Sequence, residues 1–267
     1  MAAFVFFPEK LVTAPAKAPI GLMSAMHEEL ALVLQAMPDE QRVRVGGREF
    51  WQGHWQGQPV VAVLSRIGKV AAATTATALI ERFGVDRIVF TGVAGGIGPG
   101  VRVGDVVLAS HFVQHDMDAS PLFPRHEVPL YGRSRFVTDA DLSAGLARAA
   151  QAVLAQVSTH VGSAAMAEFG LHTSRLHTGL VASGDRFVST TAESRALQQA
   201  LPDALAVEME GAAVAQVCAD YGVPFAALRT ISDRADDGAH ADFNRFIRDV
   251  ASRYSLAMLS AWLQKQQ

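Results

Sequence analysis

The stretch that most constrains this chain is Phe225–Asp237, FAALRTISDRADD. Phe225, Ala226, Ala227 and Leu228 form a short apolar run directly after Gly222-Val223-Pro224. A run of that length after a Gly/Pro break reads as a strand buried on both faces. The character then changes, and Arg229, Ser232, Asp233, Arg234, Asp236 and Asp237 follow in close succession. In an open α/β sheet, ligands bind beyond the carboxyl ends of the strands, where this cluster would fall. The same charges would also suit a solvated loop. The rest of the chain has to decide between the two.

The other apolar runs repeat the pattern of strand followed by helix. Pro19–Ala25 predicts a strand, with a helix over 26–37; Arg44–Gln56, with Gly46, Gly47 and Gly53, predicts a hairpin, and Val60–Leu64 another strand. Gly68–Phe83 reads as a helix stopped by Gly84. Arg87–Phe90 is a strand leading into TGVAGG (Thr91–Gly96), and Val103–Ser110 opens a strand pair. Gln114–Gly132 is Pro-rich and irregular. Helices are expected over Leu142–Leu154, Ala192–Ala200 and Glu208–Tyr221, strands over Leu176–Ala182 and Ala204–Val207, and a long amphipathic helix over Phe243–Lys265. Alternation with some antiparallel pairs predicts an α/β class with a mixed sheet. One domain is expected over 19–267, after an N-terminal extension, 1–18.

With 267 residues, half of them hydrophobic, the chain can bury one large core. A net charge of -3 offers no basic surface for nucleic acid or an anionic membrane. The single cysteine, Cys218, excludes an internal disulfide and a cysteine metal cluster, and suits a reducing compartment. Among Val214, Val217 and Ala219 it reads as a buried thiol more readily than as a nucleophile. Ala2–Phe7 is apolar, but Pro8-Glu9-Lys10 ends it too soon for a signal-peptide core or a membrane span. A soluble, cytoplasmic protein with no membrane partner is expected.

Several groups could carry chemistry. TGVAGG could bring backbone N–H groups to a ligand, or form a plain tight turn; it matches neither the P-loop nor the dinucleotide fingerprint. Glu28 and Glu29 fall in the first turn after the first strand, where acids complement a helix dipole and where a carboxylate could also activate water. Glu208 and Glu210 flank Met209 at a strand-to-helix junction; they should point different ways, and one could accept two ribose hydroxyls. SGDRFV places Phe187 on a loop, where its ring could stack on a flat ligand. His111 and His115 have no third ligand at a usual spacing, and neither HExxH nor GxSxG is present.

In order along the chain, IGLMSAMHEE, SRIGKVAAA, TGVAGG with VGDVV, HDMD, SGDRFV, AVEMEGAAVAQVC and VPFAALRTISDRADD, with the later Phe243, resemble the 5'-methylthioadenosine/S-adenosylhomocysteine nucleosidases of the purine nucleoside phosphorylase superfamily. The resemblance covers about Ile20 to Trp262. It implies a three-layer α/β/α domain and hydrolysis of an adenine nucleoside to adenine and a thioribose. By that resemblance Glu29 activates the attacking water, helped by Arg229, and Asp233, supported by Ser232, protonates adenine N7. Phe187 stacks on the base and Val188 reads its edge. Met209 and Glu210 hold the ribose, Glu210 through its two hydroxyls, and Val93, Ala94 and Gly95 of the glycine motif and Glu208 are further substrate-binding residues. Met26, Ile67 and Phe243 line the 5'-alkylthio pocket. The family is homodimeric, so His115–Pro129 is expected to reach the partner's active site. No metal or organic cofactor is implied.

The resemblance also shows departures. Val93 stands where many close members carry a small polar residue. Ser120–Pro129 and Ala165–His177 differ from the best-known bacterial members and fall where a substrate lid is expected. The 5'-group preference is therefore open. Another purine nucleoside (futalosine, 5'-deoxyadenosine), a phosphate-dependent reaction, or a nucleoside-binding protein without activity are the alternatives. Two adjacent acids, Glu28 and Glu29, would repel phosphate and favour hydrolysis.

Overall fold

The computed structural model describes residues 17–236 and 243–266. The expected extension lies outside these but for Lys17 and Ala18, as does Asp237. The strands are β1 (Ile20–Ser24), β2 (Gln41–Val45), β3 (Arg48–Trp55), β4 (Gln58–Leu64), β5 (Arg87–Gly96), β6 (Val106–Gln114), β7 (Arg135–Val137), β8 (Leu176–Ser183), β9 (Ala204–Glu208) and β10 (Phe225–Asp233). The helices are α1 (His27–Gln35), α2 (Lys69–Phe83), α3 (Ala140–Leu154), α4 (Val157–Val161), α5 (Ser163–Glu168), α6 (Thr191–Ala200), α7 (Gly211–Tyr221), α8 (Phe243–Phe246) and α9 (Ser252–Leu263).

One mixed sheet runs β10-β6-β8-β9-β5-β1-β4-β3-β2, with β7 beside β6. Because β5 also pairs with β10, the strands β10, β6, β8, β9 and β5 close on themselves. Two parallel groups run in opposite directions: β4, β1, β5 and β10 in one, β6, β8 and β9 in the other. They meet along β10–β6 and at a short contact, Gly95↔Val207 and Gly96↔Ala206, between β5 and β9. That contact brings the carboxyl-terminal ends of two opposed strands together, which is what gathers the site.

Apolar faces of α1, α3 and α9 cover one side of the sheet, through Leu30, Leu146, Tyr254, Met258 and Trp262. The small residues of α2 and α7 (Ala72, Ala76, Ala212, Ala215) let those helices pack closely on the other side. The result is the expected three-layer α/β/α fold with a mixed sheet. Cys218 sits in that second layer, and burial pushes its thiol up to about 12.

Five elements differ from the sequence reading. β10 continues through Arg229 to Asp233, and β5 through the whole of TGVAGG, so neither the expected polar loop nor the expected glycine turn begins there. The glycines serve close packing instead: a Cβ on Gly96 would stand 3.0 Å from Ile231 Cγ2. β6 pairs with β7 only after the irregular 114–132 stretch. α7 starts at Gly211, not at Glu208, which ends β9. The C-terminal helix is interrupted by a π-helical turn, Ile247–Ala251, between α8 and α9.

Candidate active site

Where the strand ends converge there is a cleft of about 180 Å³. All the expected site residues line it except Glu29 and Arg229: Met26, Ile67, Val93, Ala94, Gly95, Phe187, Val188, Glu208, Met209, Glu210, Ser232, Asp233 and Phe243. Ala25, Arg186 and Val207 also line it and were not anticipated as site residues. Ala25 and Val207 are strand-end positions beside anticipated ones, so extending each motif by one residue would have found them.

Glu29 lies directly behind the wall. Helical phase turns Glu28 to solvent and Glu29 inward, where it is fully buried. Its Oε2 accepts the Met26 N–H at 3.1 Å, while Oε1 has no protein partner. A Cβ on Gly92 would stand 3.3 Å from Oε1, a tight contact, and 3.8 Å from Arg229 Nη1, an ordinary one, so the glycine eases the approach of the carboxylate to this strand. Burial raises the Glu29 pKa to about 7, against the lowering pull of the Met26 N–H and of Arg229.

Arg229 is buried within β10, its guanidinium 4.1 Å from the Phe90 ring centroid. It donates to Phe90 O (3.1 Å), Leu228 O (3.2 Å) and Glu208 Oε2 (3.0 Å). It thus acts on Glu29 through its field and does not reach the cleft wall.

The two acids of VEME both line the cleft but differ in their partners. Glu208 is held on every side: by Arg229, by the Ser183 hydroxyl, by the Gly211 N–H (2.9 Å) and by the Glu210 N–H (3.2 Å). Ser183 Oγ in turn accepts the Ala212 N–H at 2.8 Å. Such a network fixes the bend between β9 and α7. Glu210 Oε1 accepts the Gly68 N–H at 2.8 Å, and burial, then the Glu208 charge, raises its pKa.

Asp233 is aimed by a bulge. β5 and β10 stay in register from Arg229↔Gly92 to Ile231↔Ala94, then shift so that Asp233 lies opposite Gly95. Its Oδ2 accepts the Ser232 hydroxyl and its Oδ1 the Ala235 N–H, both at 2.7 Å. Ser232 Oγ is also 3.4 Å from Ala94 O. Phe187 and Phe243 meet edge-on at the mouth, their centroids 6.3 Å apart.

The segments expected over the cleft, 120–129 and 165–177, contribute none of its lining among the described residues. Instead 165–177 packs beneath the C-terminal helices: Ala165 and Leu171 are in the core, Phe169 meets Phe246 edge-on at 5.3 Å, and His177 pairs with Asp105 at 2.7 Å. Among the described residues no group of three or more His, Cys, Asp or Glu could hold a metal. No described helix is long and apolar enough to cross a membrane.

The phosphorylase superfamily model matches residues 19–262, and the chain belongs to that family. Among solved structures, the 5'-methylthioadenosine/S-adenosylhomocysteine nucleosidase of Neisseria meningitidis, in complex with methylthio-immucillin-A, is 31% identical with a TM-score of 0.81, over 93% of this chain and 100% of that one. An S-adenosylhomocysteine nucleosidase from Streptococcus pyogenes gives 30% and 0.82, over 96% and 100%. The futalosine hydrolase of Helicobacter pylori gives 32% and 0.79, over 92% and 97%.

Proposed function

We propose that this chain hydrolyses the N-glycosidic bond of 5'-methylthioadenosine and/or S-adenosylhomocysteine, with 5'-deoxyadenosine as a related substrate. The observation that carries the reading is the pairing of Glu29, buried with one free oxygen behind Gly92, with Asp233, aimed at Gly95. In this reading the acid lies on the base side of a ribose and the water on the other, the arrangement an inverting glycosidase uses.

Asp233 donates a proton to N7, so the base leaves neutral. As the C–N bond lengthens, positive charge grows on the ribose, and the carboxylates of Glu29 and Glu210 stabilise it. Glu29, titrating near neutrality, takes the proton of the attacking water. Arg229 is a positioning residue here, tuning Glu29 from behind the wall. Phe187 and Phe243 bracket the mouth where base and 5'-group enter. Ile67 and Phe187 at the rim, and Leu122 within the 115–129 segment, are large exposed apolar side chains, which supports a homodimer whose partner closes the cleft. A cytoplasmic location belongs to the same reading.

Hydrolysis is favoured over phosphorolysis because acids surround the cleft. Arg186 is the one cation among its described lining residues, and it is paired with Glu193. A second reading, a futalosine-type substrate, is supported by the similarity to the Helicobacter futalosine hydrolase. Product analysis with 5'-methylthioadenosine and with futalosine, each with and without phosphate, separates these. Free adenine and methylthioribose at a phosphate-independent rate are expected. A ribose 1-phosphate product would overturn hydrolysis, and turnover of futalosine alone would favour the second reading.

A further inference from the structure

Three segments far apart in sequence meet beside the cleft in a closed ring of hydrogen bonds. The Lys69 N–H, at the start of α2, donates to Asp185 Oδ1 at 2.7 Å. The Asp185 N–H donates to Asp116 Oδ2 at 2.9 Å. Lys69 Nζ closes the ring on Asp116 Oδ1 at 2.6 Å. The same ammonium donates to Gln114 Oε1 at 3.0 Å, and Gln114 Nε2 donates to Gln216 of α7 at 2.7 Å.

Each corner of the ring leads into the site. One residue before Lys69, the Gly68 N–H holds Glu210. Two residues after Asp185 stands Phe187 on the cleft wall. Beside Asp116, the His115 ring lies so close to Gly184 that a Cβ there would stand 2.3 Å from Nε2. The 184–187 loop is thereby pressed between α2 and the 115–116 corner. The Lys69 and Asp116 side chains are only 16% and 30% exposed, so solvent screens their ion pair incompletely.

We propose that Asp116 and Lys69 are positioning residues that tie the loop bearing Phe187 to the helix start that grips Glu210. Resting on the reading given above, the clasp fixes the distance between the ring that stacks on the base and the carboxylate that faces the ribose. The function of this pair is geometric: with the clasp open, both residues remain but no longer meet one nucleoside in register. The loss then falls on uniform binding of substrate and transition state, which raises KM more than it lowers kcat.

The test compares the full chain with Asp116→Ala, Asp116→Asn, Lys69→Met and Lys69→Arg. Amide hydrogen exchange without nucleoside reads the clasp directly. Asp116→Ala and Lys69→Met should speed exchange by about tenfold or more at 67–70 and 184–188 and leave the core strands unchanged. With 5'-methylthioadenosine, KM should rise about tenfold while kcat stays within about threefold, Asp116→Asn should fall between wild type and Asp116→Ala, and Lys69→Arg should restore wild-type values. Unchanged exchange and KM in Asp116→Ala would overturn the proposal, and so would faster exchange throughout the fold. A wild-type chain that releases no adenine would defeat the functional reading alone, because the exchange arm still decides the clasp.

Discussion

Gly95 and Asp233 face each other across β5 and β10 so closely that a Cβ at Gly95 would lie 3.0 Å from Asp233 Oδ1 and 2.9 Å from Ala235 Cβ. The glycine is therefore what lets the carboxyl group turn into the cleft. Gly95→Ala should displace Asp233 and lower turnover by about 10²-fold, since a misplacement near 1 Å costs that much. Overpacking should reduce stability by about 1–3 kcal/mol. Asp233→Asn should lose a similar factor in rate with the fold intact. Full turnover in a folded Asp233→Asn chain would remove Asp233 from the proton-transfer step.

Glu29 gives a pH signature in both stability and rate. Its folded pKa is about 7 against an ordinary value of 4.5, so between these values the native state holds the proton that the unfolded state has released. Stability therefore falls as pH rises through this window, and the loss is complete above pH 7, on the order of 3 kcal/mol. Glu29→Gln lacks this penalty: it should match wild type near pH 5 and exceed it at pH 8 in urea titrations. Its turnover should fall by about 10²-fold, and the acid limb of kcat/KM near pH 7 should disappear. Parallel stability curves for the two proteins would refute the assignment.

Much of this site was legible because each motif sits at a strand end, and strand ends are marked by a change from apolar to polar residues. What was not legible depends on partners far away in sequence. Arg229 reads as the start of a loop because a charge in a strand core is costly. It is tolerated since Glu208 and two carbonyl groups satisfy it, and no local pattern announces them. The bulge before Asp233 lies in RTISD, which has no glycine or proline to mark it. Glu28 and Glu29 are equivalent by composition; only the phase of α1 on the sheet sends one to solvent and one inward behind the cleft wall. Closure of β5 on β10 likewise leaves no trace in either strand's own pattern.

The thiol of Cys218 should be silent in the native state. It is 2% exposed, and burial holds it in the neutral form, whereas the thiolate is the reacting species. Native protein should react with iodoacetamide only at the rate of unfolding, and Cys218→Ala should leave turnover unchanged. Fast stoichiometric labelling of the folded chain would contradict the packing of α7 described above.

Glu208 and Glu210 are neighbours with opposite structural roles, and alanine substitution should separate them. Glu208→Ala leaves the Arg229 guanidinium buried without its carboxylate and the Gly211 N–H and Ser183 hydroxyl without their acceptor. Breaking a buried pair from one side costs about 3–5 kcal/mol, so this variant should unfold at markedly lower urea. Glu210→Ala removes one accepted N–H bond, but also a carboxylate that burial and the Glu208 charge disfavour. Its stability should stay near wild type or rise above pH 7, while kcat/KM for the nucleoside collapses with loss of the ribose contact proposed for Glu210. If Glu210→Ala instead proves the less stable of the two, the division of the pair into a structural and a ligand-facing acid is wrong.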